Sequence, residues 1–103
     1  MTCAPRRKPR LSEITREVQG SKGRYVLREH GAEAELAWSI LSPLHIIADH
    51  TGVPDALRGT GAGRRLVERL VADARLDGLK ITPLCPFVRA QAQRHPEWAD
   101  VFA

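Results

Sequence analysis

Apolar and polar residues alternate through the first half of the chain, while in the second half the apolar positions recur every third or fourth residue. Ala34, Leu36, Trp38 and Ile40 share one parity, and Glu33, Glu35 and Ser39 share the other. A period of two is the signature of a strand with one buried face. The preceding segment 24–30 (RYVLREH) is rich in strand formers and closes at Gly31, which predicts a hairpin between the two. Ahead of it, Gly20, Ser21, Lys22 and Gly23 read as a turn and 13–18 as a short edge strand. Ser42-Pro43 turns the chain once more. The stretch 44–53 (LHIIADHTGV) is the most apolar strand, expected at the centre of a sheet, and Pro54 stops it.

After Pro54 and a run of glycines the period changes. Leu66, Val67, Leu70, Val71 and Ala74 recur at helical spacing, with Arg65, Glu68, Arg69, Asp73 and Asp77 covering the other side. The pattern predicts a helix over 60–77, closed by Gly78. A short strand over 79–84 follows. Pro86 opens a second helix that runs to Arg94, and Pro96 ends it. Behind the edge strand the order is β-β-β-loop-α-β-α. This predicts an α+β fold: a mixed β-sheet with antiparallel N-terminal strands, then β-α-β-α, with the helices packed on the sheet. Trp38 falls on the buried parity. Trp98 and Phe102 are expected to cap the sheet or the helix pair, His95 to end the second helix, and His30 and His45 to be exposed.

Size allows one domain: the chain has 103 residues, read as a flexible basic tail over 1–12 and a folded unit over 13–103. Charge sharpens that division. The net +4 is carried by Arg6, Arg7, Lys8 and Arg10, leaving 12 basic against 12 acidic residues in the rest of the chain. A short, proline-flanked basic arm without aromatics reads as a solubilising end, with at most weak attraction for nucleic acid. One tyrosine and two tryptophans are too few for a stacking platform. No run approaches the ~20 apolar residues of a membrane span. The first ten residues lack the apolar core of a signal peptide, so no membrane partner and a cytoplasmic location are expected. Cys3 and Cys85 make neither a disulfide framework nor, without a CxxC, a zinc site.

The chemistry concentrates at the junction between the third strand and the first helix. Arg58, Gly59, Thr60, Gly61, Ala62, Gly63 and Arg64 lead into a helix N-terminus, whose first N–H groups lack intrahelical partners and whose dipole favours an anion. Glycines there let backbone N–H groups form a nest for phosphate. A Walker loop needs a lysine after its last glycine, and a dinucleotide fingerprint needs GxGxxG; neither fits.

What does fit is Arg58-x-x-Gly61-x-Gly63. It resembles the (Q/R)xxGx(G/A) pyrophosphate loop of the GNAT acetyltransferases. With His50-Thr51-x-Val53-Pro54 before it, and Pro83-x-Cys85-x-Phe87-Val88 and His95-Pro96-Glu97 after it, the chain is similar to the small, single-domain GNAT-like proteins over nearly all of its folded part. The resemblance implies acetyl-CoA as acetyl donor. Its pantetheine arm would lie between the splayed ends of 44–53 and 79–84, pairing with strand backbone near His50–Val53, with Thr51 and Val53 as its binding residues. Its pyrophosphate would lie on Arg58 to Arg64, and its thioester would point toward His50 and Cys85. It implies an N-acetyltransferase acting on an amine of a protein or small molecule; the alternative is a CoA-binding or acyl-CoA-binding module without turnover.

Acyl transfer to an amine needs a base, donors for the oxyanion, and a proton for the leaving thiolate. His50 is the base candidate, or else a hydrogen-bonded histidine that shapes the site. Asp49 is a second candidate, placed by alternation on the opposite face from His50. Cys85 is either an acetyl carrier or a thiol lining the site, the latter favoured. Many GNAT enzymes carry a tyrosine on the last helix as general acid. The only tyrosine here is Tyr25, far upstream, and Phe87 stands where the small family often has tyrosine. The short connection before residue 24 leaves no room for the two helices that wall the acceptor site in larger members, so an open acceptor face is expected.

Overall fold

The computed structural model describes residues 14–103. The basic arm, Cys3 and the first residue of the expected edge strand lie outside them. Four strands form an antiparallel meander: β1 (Ile14–Gln19), β2 (Lys22–Glu29), β3 (Ala32–Ser42) and β4 (His45–Gly52). A 3-10 turn (Asp55–Leu57) and the glycine loop lead into α1 (Ala62–Asp77), which crosses over to β5 (Lys80–Pro83), parallel to β4. Then come α2 (Pro86–Arg94) and a second 3-10 turn (Pro96–Trp98). The strands lie in chain order, β1-β2-β3-β4-β5. This is the expected α+β mixed sheet, with its single crossover at the β4-α1-β5 unit.

One face of the sheet holds the core. Tyr25, Leu27, Ala34, Leu36, Trp38, Ile46, Ala48 and Ile81 form a continuous cluster with Leu66, Val67, Leu70, Val71 and Ala74 of α1, and with Val88, Trp98 and Val101 beyond. The helical stripe and the strand parity read from the pattern therefore meet each other. The opposite face, with Glu17, Arg24, Glu35, Ser39, Asp49 and His50, carries no helix among the described residues.

Several local expectations are corrected by tertiary contacts. The β1–β2 turn is Gly20-Ser21 alone, because Lys22 and Gly23 pair with Ser39 and Trp38. Gly23 belongs in the strand for a steric reason: a Cβ there would fall 2.3 Å from Cζ2 of Trp38. Helix α1 starts at Ala62, not at residue 60. Gly59 and Gly61 both hold φ near +80, outside any right-handed helix, and the Thr60 hydroxyl donates to the Leu57 carbonyl at 2.6 Å. His30 is exposed as expected, sharing positive φ with Gly31 in the two-residue turn that suits the twist of a hairpin. His45 is half-buried instead, its Nε2 2.6 Å from Thr82 Oγ1. His95 closes α2 and stacks on Trp98 at 4.2 Å, and Phe102 bridges Ile81 at the β5 edge.

The correction that matters most is in β4. Ala37 pairs with His50, but Trp38 pairs with Ala48, so Asp49 is an extra residue, a β-bulge. The bulge breaks the alternation. Asp49 accepts a hydrogen bond from the Ser39 hydroxyl and His50 meets Glu35, so both side chains lie on the uncovered face rather than on opposite faces.

Candidate functional site

The pairing of β4 with β5 runs from His45↔Lys80 to Ala48↔Pro83 and stops there. Pro83 and Pro86 cannot donate to a ladder, and between them the chain turns away into α2. The Cys85 N–H still reaches the Ala48 carbonyl at 2.9 Å, marking the apex of the divergence. Beyond it β4 continues through residues 49–52 with β3 along one edge and no strand along the other among the described residues. A wedge thus opens between β4 and α2, lined on one side by strand backbone with no strand beside it.

The mouth of the wedge is the glycine loop. Gly61 caps α1 in the left-handed conformation, and among the described residues no side-chain cap bonds the first-turn N–H groups. No acidic residue stands in that turn. The first helical bond is that of the Arg65 N–H to the Gly61 carbonyl, at 2.9 Å. The N–H groups of Ala62, Gly63 and Arg64 therefore have no intrahelical acceptor. Arg58 and Arg64 are exposed beside them, loosely tied to Asp55 at 3.1 Å and Glu68 at 3.4 Å. Arg65 does not join them; its guanidinium is held by Glu29 of β2 at 2.8 Å. A cleft of about 300 Å³ connects these parts, lined by Val53, Leu57, Arg58, Gly59, Gly61 to Arg64, Phe87 and Gln91. The three glycines differ in purpose. Gly59 and Gly61 supply positive φ with open space where a Cβ would stand, whereas a Cβ on Gly63 would fall 2.7 Å from the Phe87 ring. Gly63 is what lets α1 and α2 approach.

His50 and Cys85 are not brought together. Cys85 is buried, and its Sγ lies 3.5 Å from the Thr51 hydroxyl on the helix-covered side of β4. His50 is exposed on the other side, its Nε2 3.4 Å from Glu35 Oε2. Glu35 in turn accepts from Arg24 at 2.8 Å, and Arg24 also donates to Glu17 at 2.7 Å. Burial and the nearby Asp73 carboxylate are not features of this side at all: they belong to Tyr25, whose hydroxyl donates to Asp73 in the core and whose pKa they push well above the ordinary phenol range. Beside Glu35 an open groove of about 450 Å³ runs over β1, β2 and β3, with Glu17, Lys22, Arg24 and Ala37 along it. Thr51 and Val53 flank the wedge, Thr51 through Cys85 and Val53 through the cleft wall; Thr60 is occupied with Leu57. Arg89, at the start of α2, turns back toward the Leu84 carbonyl at 3.5 Å.

Two parts of the site escape a reading of the sequence. Glu35, the partner of His50, sits 15 positions away and looks like any solvent-facing glutamate of an alternating strand. Gln91 looks like an ordinary polar position of a short helix, yet it is buried and its Oε1 has no hydrogen-bond partner among the described residues.

No helix among the described residues is long and apolar enough to cross a membrane. The family model for GCN5-related N-acetyl-transferases matches residues 24–101, from within β2 to the last buried residue of the C-terminus. No curated protein matches the chain. Among solved structures, the NMR solution structure of a GCN5-like protein from Staphylococcus aureus, named for a proposed N-acetyltransferase activity, is 31% identical in sequence. It superimposes with a TM-score of 0.68, covering 90% of this chain and 89% of its own. With wedge, loop and sheet order all in the arrangement described above, this chain belongs to the GCN5-related N-acetyltransferase family.

Proposed function

We propose that this protein transfers an acetyl group from acetyl-CoA to a primary amine. The observation that carries the reading is the uncapped N-terminus of α1, with Gly59 and Gly61 in the left-handed region, opening onto the wedge where β4 and β5 part. A phosphate bound there meets N–H donors without an intrahelical acceptor among the described residues, next to two exposed arginines. The backbone edge of residues 49–52 suits the amides of a pantetheine arm, which pair as a short strand would. The residues that would hold the donor are thus Thr51 and Val53 by the wedge and Arg58 to Arg64 by the loop. When bound, the donor supplies a thioester, an activated acyl group.

The uncovered sheet face is the side from which an amine arrives. His50 stands there and takes the amine proton, and Glu35 holds the resulting imidazolium. The new C–N bond forms as the C–S bond breaks, and the departing thiolate takes its proton from water or from Cys85. Cys85 lines the donor side, paired with Thr51, and carries no acetyl group itself. The acceptor is an accessible amine, such as a lysine side chain, a protein N-terminus or a polyamine, since the groove beside Glu35 has no lid among the described residues.

A second reading keeps the binding and drops the turnover: a CoA-binding module. The position of Tyr25 favours it, because the only tyrosine is bonded to Asp73 in the core and cannot serve as general acid. Two measurements separate the readings. Millimolar CoA is expected to raise the melting temperature, by about 2.7 kcal/mol of stabilisation when the ligand stands at a hundred times its Kd. Gly61→Asp is expected to fold, because aspartate tolerates the left-handed region and caps helices, yet to lose the CoA shift, because its carboxylate competes for the same N–H groups. Release of free thiol from acetyl-CoA in the presence of peptide or polyamine amines supports the enzyme; binding without release supports the module. No shift with wild-type protein removes both.

A further inference from the structure

Gln91 is an anomaly within its helix. It lies one turn after Phe87, on the side of α2 that faces the cleft, and it is 93% buried, with a relative exposure of 7%. Its neighbour on the core side, Val88, is fully buried and apolar. A leucine or methionine at position 91 would fill the same space without loss. Instead the position holds an amide whose Oε1 is shielded from solvent and bonded to nothing among the described residues. A buried acceptor left unpaired lowers stability. Such a group is kept where something else completes it.

The chemistry of that partner is restricted. An orphaned carbonyl oxygen needs an N–H or O–H donor. A pyrophosphate at neutral pH offers only acceptors, so it belongs at the α1 N-terminus and not at Gln91. Apart from Arg58 and Arg64 at the loop, the other side chains that line the cleft are apolar: Val53, Leu57, Ala62 and Phe87. A ligand segment that suits an apolar cleft with one buried carbonyl is a slender aliphatic chain carrying amide N–H groups. We propose that Gln91 is a specificity residue for the arm of the donor: it accepts a hydrogen bond from an arm amide, opposite the strand backbone of residues 49–52, and so distinguishes a ligand with a pantetheine arm from one with the nucleotide phosphates alone. This rests on the proposed donor and adds to it which part of that donor is read by a side chain.

The test uses binding and stability, without turnover. Gln91→Leu, and Gln91→Met as an unbranched control of similar length, are titrated calorimetrically with CoA and with 3′-phosphoadenosine 5′-diphosphate, an arm-free nucleotide that keeps the pyrophosphate. Both variants are expected to weaken CoA about tenfold, leave the arm-free nucleotide unchanged within about twofold, and melt higher than wild type when ligand-free, since an unsatisfied buried acceptor has been removed. Unchanged CoA affinity overturns the assignment. So does an equal loss for both ligands, or a lower ligand-free melting temperature, either of which marks Gln91 as a packing residue. Wild-type protein that binds the arm-free nucleotide but gains nothing from the arm overturns it while sparing the phosphate site. Wild-type protein that binds neither overturns the donor reading and this inference together.

Discussion

A base that removes a proton from an incoming amine has to stand on the side from which the amine comes, and a thiol that neighbours the donor has to stand on the other. His50 and Cys85 are divided in that way by β4 itself: the His50 ring meets Glu35 on the bare face, and the Cys85 sulfur meets Thr51 beneath. His50→Ala is expected to lower kcat/KM about a hundredfold, most at pH values below the acceptor's pKa, where an unassisted amine is mostly protonated. Cys85→Ala is expected to stay within about threefold of wild type, because an amine positioned against a thioester needs no covalent relay. Equal activity of His50→Ala and wild type across about pH 6–9 would remove the base role. An adduct of about 42 Da on the intact protein after incubation with acetyl-CoA would restore Cys85 as an acetyl carrier. The sequence alone names both residues. It does not tell their faces, because the single extra residue at Asp49 shifts the alternation, and a bulge is decided by the partner strand.

At the scale of elements, what was readable followed from local pattern and what was not followed from contact. The parity of Ala34, Leu36 and Trp38 and the stripe of Leu66, Val67, Leu70 and Val71 each specify one buried face, and those faces pack together. Gly23 and Gly63 are different: both look like loop glycines, and both are glycine because an aromatic ring from another element occupies the place of the Cβ. The loop motif that suggests phosphate binding thus contains one residue set by helix packing. Gly63→Ala should gain roughly 1 kcal/mol of helix propensity, but it must displace the Phe87 ring, which lies 2.7 Å from the new Cβ. In wild type these effects are expected to cancel. In a Phe87→Ala background, where the ring is gone, the same substitution is expected to stabilise by about 0.5–1 kcal/mol. Urea unfolding of the four proteins measures the coupling; strict additivity would mean that Phe87 does not set the distance between α1 and α2.

For the molecule as a whole, the sheet and the crossover helix are joined by a polar tie across 48 positions of sequence, beside the Arg65–Glu29 pair and the bond from Arg69 to the Ile14 carbonyl. Tyr25 of β2 donates to Asp73 of α1 at 2.8 Å, and Arg69 holds the same carboxylate oxygen at 3.0 Å while its guanidinium lies 5.4 Å from the Tyr25 ring centroid. Nothing in the strand pattern signals this tie, because a buried tyrosine on the apolar parity reads as one more core residue. Desolvation, first, and the hydrogen bond to the Asp73 carboxylate, second, raise the folded-state pKa of Tyr25 well above its unfolded value of 10.0. The sign follows. The native state favours the protonated phenol, so this contribution is fully present below pH 10 and is lost as pH rises through the folded-state value. Tyr25→Phe is expected to lower the urea midpoint at pH 8 by the equivalent of about 1 kcal/mol, leaving Asp73 with Arg69. It is also expected to flatten the fall in stability above pH 10 relative to wild type, since the variant has no phenol to ionise on unfolding. As Tyr25 is the only tyrosine, tyrosinate absorbance reports this one group. In the wild type that absorbance should appear together with loss of structure by circular dichroism. Tyrosinate forming near pH 10 in a protein that is still folded would show that the tie between sheet and helix does not hold the proton.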